Sequence, residues 1–558
     1  MVPDAPIDGK LPSVKPEDRS GDFTFSRGSN LAATRVNKDG LIEKGRENIL
    51  LYSNTFSSWT IINSTLTPNQ AGYDNTSDAW LIEKTADAGR IQINVDAGLA
   101  TYSVYAKAGS VSWIRLLKGG NASAYFDLSN GTIGDLALTI DATITSVGGG
   151  WYRCTMTYED AFSGSVRIYP AIADGDTSGT SGNIYIQDAQ LEQGMVATGY
   201  IETTTAAVQK GILENLPRLD YSGGASCPSL LLEPQRTNIF EQSEYFSGTY
   251  WAKTGSGGGN APVVTQNYAI SPEGLKNASR VQFDTNGSTS SHRSGLVRDF
   301  AFTTGDKYAI SCWVKSASGS DEIFTFRIAG AQVGGEKIAT NEWQLFTETH
   351  TATATTTDNF GMQIRGNYSS QTSDILIYGM QLESAVSYPT SYIPTYGSSV
   401  TRSADNPIIS SAGDIVDINQ GTLFIDVTID SNVNTEIYLM KFDGVNFNDT
   451  LYLYRSAIGK IQGVYRIGGS AYKEETTGAI SGRLKAAFAY DSNNDCTLYV
   501  NGSKRGSSFS IPTPSVNLTA IRLGGFNDTL AKQSGGTHQS LYFPTALTDD
   551  ECIALTTI

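Results

Sequence analysis

The chain carries little charge and almost no histidine. Asp, Glu, Lys and Arg together make up 17% of its 558 residues, and only His292, His350 and His538 are present. No two of these have metal-ligand spacing and none follows a GxSxG-like serine, so neither a histidine-based triad nor a zinc centre is expected. Cysteine is also scarce. Cys154, Cys227, Cys312, Cys496 and Cys552 form no CxxC pair and read as buried free thiols, made and folded in a reducing cytoplasm. No apolar run approaches the ~20 residues needed to cross a bilayer, so no membrane insertion is expected. The opening MVPDAPIDGK lacks a basic segment followed by an apolar one, so no signal peptide is visible. Basic clusters are missing and the net charge is −16, a balance that repels phosphate backbones and speaks against nucleic acid. Helix-length periodicity is essentially absent as well.

What fills the space is Gly, Ser, Thr, Asn and Tyr, the mixture of short aromatic and β-branched strands punctuated by turns. The chain also says nearly the same thing twice. Leu41–Ile42–Glu43, Arg46–Glu47–Asn48–Ile49 and Trp59 return as Leu231–Leu232–Glu233, Arg236–Thr237–Asn238–Ile239 and Trp251. SVYAKAG around Tyr105 matches SCWVKSA around Trp313, Trp151 matches Trp343, and IYIQDAQLEQ…GYIET matches ILIYGMQLES…SYIPT. Alternation is the dominant period: Tyr308, Ile310, Cys312 and Val314 share one face, and Ser311, Trp313 and Lys315 the other. Each copy is therefore expected to be a jelly-roll β-sandwich. Glu192 and Glu383 of the Gln–Leu–Glu exits are expected to pair with Arg46 and Arg236 of the entries.

The rest of the chain sets the boundaries. Residues 1–39 read as an arm, 40–205 as the first module, 206–230 as a connector hairpin, 231–403 as the second module and 404–558 as a third sandwich. Lys38–Asp39–Gly40 marks a hairpin turn. In the third part GTLFIDVTID alternates strictly, Asp491–Asp495 reads as a polar turn, and Thr548–Asp549–Asp550–Glu551 as a capping box opening one short helix.

Here the residues resemble known families. AFAYDSNNDCTLYVNGSKRG, IRLGG and HQSLYFPTALTDDE are similar to the concanavalin A-like lectin/glucanase fold in its laminin-G-like variety. The duplicated modules resemble the carbohydrate-binding-module-like jelly rolls of bacteriophage virion proteins. FTFSRGSNLAATRVNKDGLIE…NILLYSN…CPSLLLEPQRTNIFEQSE resembles tail fibres and other appendages of tailed phages. The implied fold is all-β: tandem jelly-roll sandwiches followed by a concanavalin A-like sandwich.

Catalysis finds little support. Glycosidases of the concanavalin-like fold carry acid and nucleophile as ExDxE or ExDxxE on one strand, and no Glu here is followed two residues later by Asp. Asp426 and Asp430 share a strand face but fit a solvated surface better. Asp491, Asn493 and Asp495 begin like a calcium loop, yet the glycine and distal Glu of an EF-hand are missing. No cofactor is expected. A structural calcium is allowed by the jelly-roll resemblance, since scattered oxygens would not show in sequence.

Sugar binding needs flat aromatic faces and polar groups beside them. Trp59, Trp251, Trp151 and Trp343 recur at matched places and read as core packing. Tyr105, Trp313 and Lys315 alternate away from the aliphatic set, and Trp113 shares a face with Arg115. Those five are the glycan-binding candidates, with inter-domain contact as the rival explanation. The expected function is that of a virion appendage: non-catalytic attachment to host cell-surface glycans, docking to other virion proteins through the N-terminal segment. Homotrimers are implied by the resemblance alone. The alternatives are a purely structural virion component and, behind it, a depolymerase.

Overall fold

The protein is described by a computed structural model that defines residues 10–11, 22–28, 31–119, 122–159, 164–224, 226–429, 436–445, 448–525 and 535–558. It is three β-sandwiches. In the first, six strands run in the order Asp141–Gly148, Trp151–Glu159, Leu99–Ala108, Asn183–Gln193, Ala79–Lys84, Ser64–Gln70. Facing them are Thr132–Ala137, Ala122–Asp127, Trp113–Lys118, Ser165–Ala171, Arg90–Asn94 and Thr60–Ile62. Alternation sends Tyr102, Val104, Ile114, Leu116, Phe126 and Ile168 into the space between.

The second copy repeats this wiring. One sheet is Val263–Ala269, Ala278–Asp284, Thr372–Ser384, Lys307–Ser316, Gln344–Thr351, and the other Ala252–Ser256, Arg293–Phe302, Thr356–Arg365, Glu322–Ile328, Ala331–Ala339. The first copy differs by two added strands, Thr132–Ala137 and Asp141–Gly148, one at the edge of each sheet. Even the irregularities match. The register slips between Ser103 and Tyr105 in one copy and between Ser311 and Trp313 in the other. The opposing strand bulges at Asp188 (φ 52°) and at Gly379 (φ 64°), a left-handed conformation suited to glycine or a short polar residue.

The repeated motifs are a polar clasp between first and last strands. Asn48 donates to the Ile201 carbonyl at 2.7 Å and accepts from the Leu50 and Leu191 amides, both at 3.1 Å. Asn238 does the same with Ile393, Phe240 and Leu382. Gln190 accepts from the Ile201 amide and Gln381 from that of Ile393. These amides are fully buried, so an apolar residue in their place would orphan several backbone groups. Glu192 and Glu383 depart from expectation. Each closes its own exit loop, on Thr198 and Thr390 respectively, while Arg46 pairs with Glu273 and Arg236 lies over the Tyr388 ring. The loops reach the carboxylates first.

The third sandwich is assembled from distant pieces of chain. Its larger sheet runs Lys10–Leu11, Phe23–Ser26, Asn406–Ile409, Ala520–Leu523, Ile437–Asp443, Thr450–Arg455, Ile461–Ile467, Ser470–Glu475. The other runs Leu219–Asp220, Ser229–Leu232, Gly535–Phe543, Gly421–Ile429, Gly482–Tyr490, Asp495–Val500, Ser503–Ser510. Phe23 and Phe25 from the expected arm, and Leu219, Leu230 and Leu232 from the expected connector and the start of the second module, lie in its core. Two short stretches of the connector, Leu219–Asp220 and the start of Ser229–Leu232, thus form an edge of the C-terminal sheet, while Val208–Lys210 pairs with Arg46–Asn48. Residues 1–9, 12–21 and 29–30 of the arm lie outside the described residues. The helix Asp549–Thr556 is opened by the expected capping box of Thr548 and Glu551.

A buried ionic hub ties these pieces together. Arg218 donates to Glu233 (2.8 Å) and Asp405, Arg27 to Asp405 (3.3 Å), and Arg402 approaches Glu233 at 2.9 Å. The preceding repeat unit carries the pair Arg35–Glu43 at 2.8 Å in matched positions, there partly exposed. A second hub joins Lys44 to Glu244 (2.7 Å) and Glu273 (2.9 Å), among Tyr378, Tyr392 and Tyr396.

Candidate functional site

The strand Trp113–Lys118 turns Ile114 and Leu116 inward, so Trp113, Arg115 and Leu117 face out. Register places Arg115 directly between Tyr125 and Tyr169 on the two neighbouring strands. Its guanidinium lies 5.3 Å from one ring centre and 5.6 Å from the other, and Arg90 covers Tyr169 from the far side at 5.5 Å. The result is a row of alternating rings and cations, Tyr125–Arg115–Tyr169–Arg90, across four strands. Each cation–ring contact contributes about 0.5–1 kcal/mol where exposed, and about 2 where dry. The tyrosines are nearly buried beneath the arginines, so the surface offered is guanidinium edges beside the half-buried Trp113 indole.

No carboxylate forms an ion pair with Arg115 among the described residues, and its Nε has no hydrogen-bond partner. Its one side-chain hydrogen bond there is a long one to Ser123, 3.5 Å. Asp135 and Asp174 stand at the rim, with Asp174 accepting from the Asp135 amide at 2.7 Å. Gly134 lets the neighbouring turn approach, since a Cβ there would sit 2.6 Å from the Trp113 ring. The face can therefore donate hydrogen bonds from guanidinium groups beside an apolar ring.

The other three sequence candidates lie elsewhere. Tyr105 is on the outer face of the opposite sheet, stacked under Tyr73 at 3.8 Å with Trp151 and Tyr185 around it. Tyr73 is fixed there by donating to Asp188 at 2.9 Å. Burial, with Asp78 and Asp74 nearby, pushes the Asp188 pKa up to about 7. In the second copy the matching face carries Trp313, Trp343, Tyr378 and Tyr392, and here Ile42 of the hairpin Thr34–Val36/Ile42–Lys44 packs on top. Trp151 and Trp343 therefore pack outside the sandwiches, whereas Trp59 and Trp251 occupy the cores. Trp313 also lines a cleft of about 440 Å³ with Arg35, Asp220, Leu345 and Ser391, where the hairpin, second copy and C-terminal sandwich meet. Lys315 is half-buried on the same strand.

One aromatic group was not singled out from the sequence. Tyr438, Tyr452 and Tyr454 cluster on the outer face of the larger C-terminal sheet, at ring separations of 4.9–6.0 Å. LYLYR does alternate, yet a tyrosine on an outer face and one in a core look alike in a strand. Asp426 is not a free strand-face carboxylate: Arg483 holds both its oxygens, at 3.1 and 2.9 Å. Asp430 lies outside the described residues. Asp491 accepts from the Asn493 and Asp495 amides at 2.9 and 3.0 Å, so its oxygen closes a hairpin turn. No group of three or more His, Cys, Asp or Glu side chains arranged to hold a metal occurs among the described residues. Four of the thiols are buried and Cys227 is exposed.

No protein-family model and no curated protein matches the chain. Among solved structures, a Ruminococcus gnavus IT-sialidase CBM40 bound to α2,3-sialyllactose shows 23% identity over 26% of this chain and 87% of its own, with a TM-score of 0.24. Domain 4 of the Geobacillus stearothermophilus GH43 arabinanase AbnA, in complex with arabinotriose, shows 18% identity over 28% of this chain and 73% of its own, TM-score 0.24. The SAP-like pentraxin of Limulus polyphemus shows 13% over 25% and 70%, TM-score 0.21. The chain's own topology makes it all-β, tandem jelly-roll sandwiches followed by a concanavalin A-like sandwich.

Proposed function

We propose that this chain is a non-catalytic glycan-binding protein of the phage-appendage kind, attaching a virion to sugars of the host surface. The observation that carries glycan binding is the outer face of the first sandwich. Trp113 and an Arg115 guanidinium with no carboxylate partner among the described residues stand together there, on strands that fix their spacing. The virion role rests on the resemblance of the duplicated frame to phage appendage proteins. Docking through the N-terminal segment and trimeric assembly belong to the same reading. Weak single-site contacts would be raised by repetition and oligomerisation. A glycan array probed with wild-type protein, Trp113→Ala and Arg115→Ala tests it. Wild type should pick out a defined set of glycans that both variants lose, and equal signals from all three would overturn the assignment of this face.

One observation favours the purely structural alternative for a different candidate. Trp313 packs against the Ile42 hairpin, so its ring serves cohesion between chain segments. The two roles divide between faces, and Trp313→Ala should leave array binding through Arg115 in place.

A further inference from the structure

The sheet of the second copy that matches the ring–cation row has a different chemistry. Trp59 and Trp251 anchor the correspondence: Thr60 pairs with Gln92 and Ala252 with Val297, so the strands align residue by residue. By that register Thr325 stands where Arg115 does, Gln363 where Tyr169 does, and Gly295 where Arg90 does. The row of rings is replaced by a small, polar floor.

Three arginines surround this floor. Phe326, Met362, Ile364 and Leu296 point into the core, so Arg327, Gln363, Arg365 and Arg293 take the outer face. Arg293 and Arg365 are direct cross-strand partners, a placement of like charges that costs stability unless something anionic lies between them. Neither has a side-chain hydrogen bond or an ion pair among the described residues, and the Nε atoms of all three arginines lack partners. Arg327 is 5% exposed; it donates to Gln363 Oε1 at 3.2 Å and to the Gly330 carbonyl at 2.8 Å. Asp358, at 3.5 Å from Arg327 and itself half-buried, is the one carboxylate ion-paired with the trio among the described residues. Gln363 is 2% exposed, and its amide lies beside the half-buried Tyr368, whose hydroxyl also neighbours Thr325 and Arg365. Burial and mutual repulsion with Arg293 both lower the Arg365 pKa, as expected of cations sharing a site. In a chain of net charge −16, three guanidiniums around a buried amide are not general surface chemistry.

We propose that this face is a binding site for the carboxylate of an acidic saccharide. Arg293 and Arg365 grip the anion, and Arg327 and the Gln363 amide flank it. Bidentate guanidinium–carboxylate pairing is the strongest recognition such a face can make. The anion preference stands on the arginines alone, whereas the saccharide part rests on the glycan-binding reading above.

The test is ligand-observed NMR titration of the full chain with tetragalacturonate, its neutral methyl ester, and inorganic sulfate. Tetragalacturonate should bind at least tenfold more tightly than the ester, weaken as salt rises, and lose at least tenfold in Arg293→Ala/Arg365→Ala. Arg293→Lys/Arg365→Lys, which keeps the charge but not the fork, should bind at an intermediate level and covers the case in which the alanine pair does not fold. Arg115→Ala should not affect this titration, so failure here and failure of the first-copy site are told apart. Equal binding of acid and ester, or full binding by the lysine and alanine pairs, would overturn the proposal. Sulfate competing as strongly as tetragalacturonate would reduce the face to a free-anion site and overturn its saccharide part.

Discussion

Replacing Asp405 by asparagine removes one charge from a closed network. Asp405 accepts from Arg27 at 3.3 Å, from Arg218, and from the Glu233 amide at 2.9 Å, and its side chain and those of both arginines are fully buried. The native hub holds Arg27, Arg218 and Arg402 against Glu233 and Asp405, with Glu383 acting on Arg402; the variant removes one of these anions from the three cations. Breaking a buried pair by removing one partner costs about 3–5 kcal/mol, because the remaining charge cannot be rehydrated. Asparagine keeps the shape and one acceptor, so the loss should fall near about 3 kcal/mol. These residues pin the strands Phe23–Ser26 and Ser229–Leu232 to the C-terminal sandwich, so the loss should appear as an earlier urea transition of that domain. The wild type should show the matching acid dependence. Burial raises the Glu233 pKa, and Arg402 and Arg218 more than reverse this, holding it at about 2. Its contribution is therefore complete above the unfolded carboxylate range near 4 and is lost as pH falls toward 2. An Asp405→Asn variant within 1 kcal/mol of wild type would refute the reasoning.

Asn48→Ala and Asn238→Ala should each cost about 3 kcal/mol by urea unfolding, since each orphans two buried amides and a carbonyl; a large loss in one copy only would contradict their equivalence. Asp188 has the opposite sign to Glu233. Its raised pKa means that stability is complete below about 4 and declines as pH climbs to about 7. Asp188→Asn, which tolerates the left-handed backbone, should flatten that slope and gain about 1–3 kcal/mol at pH 8 in thermal unfolding. Trp313→Ala should loosen the hairpin at Lys38–Gly40, seen as faster tryptic cleavage there at a stability cost of about 1–2 kcal/mol.

The sandwiches were legible because alternation and the double copy are local signals: Tyr308, Ile310, Cys312 and Val314 announce one buried face without reference to anything distant. The clasp was legible as a repeated motif but misassigned in its partners, since Thr198 and Thr390 compete for the glutamates from loops of no regular period. Composition of the third sandwich from Phe25, Leu230 and Leu423 could not be read, because pairing between segments hundreds of residues apart leaves no trace in either segment alone. Trp113 and Arg115 were found together because they lie on one strand, two residues apart. Tyr125 and Tyr169, which complete the row, come from neighbouring strands whose register only the fold supplies. The arginines of the second copy were missed for the same reason.

Isothermal titration of an array-selected oligosaccharide into wild type, Arg115→Lys and Arg115→Ala tests glycan binding by the first sandwich most directly. The account predicts tenfold or greater weakening in Arg115→Ala and a smaller loss in Arg115→Lys, with unfolding midpoints showing all three folded. Unchanged affinity in a folded Arg115→Ala protein would contradict it.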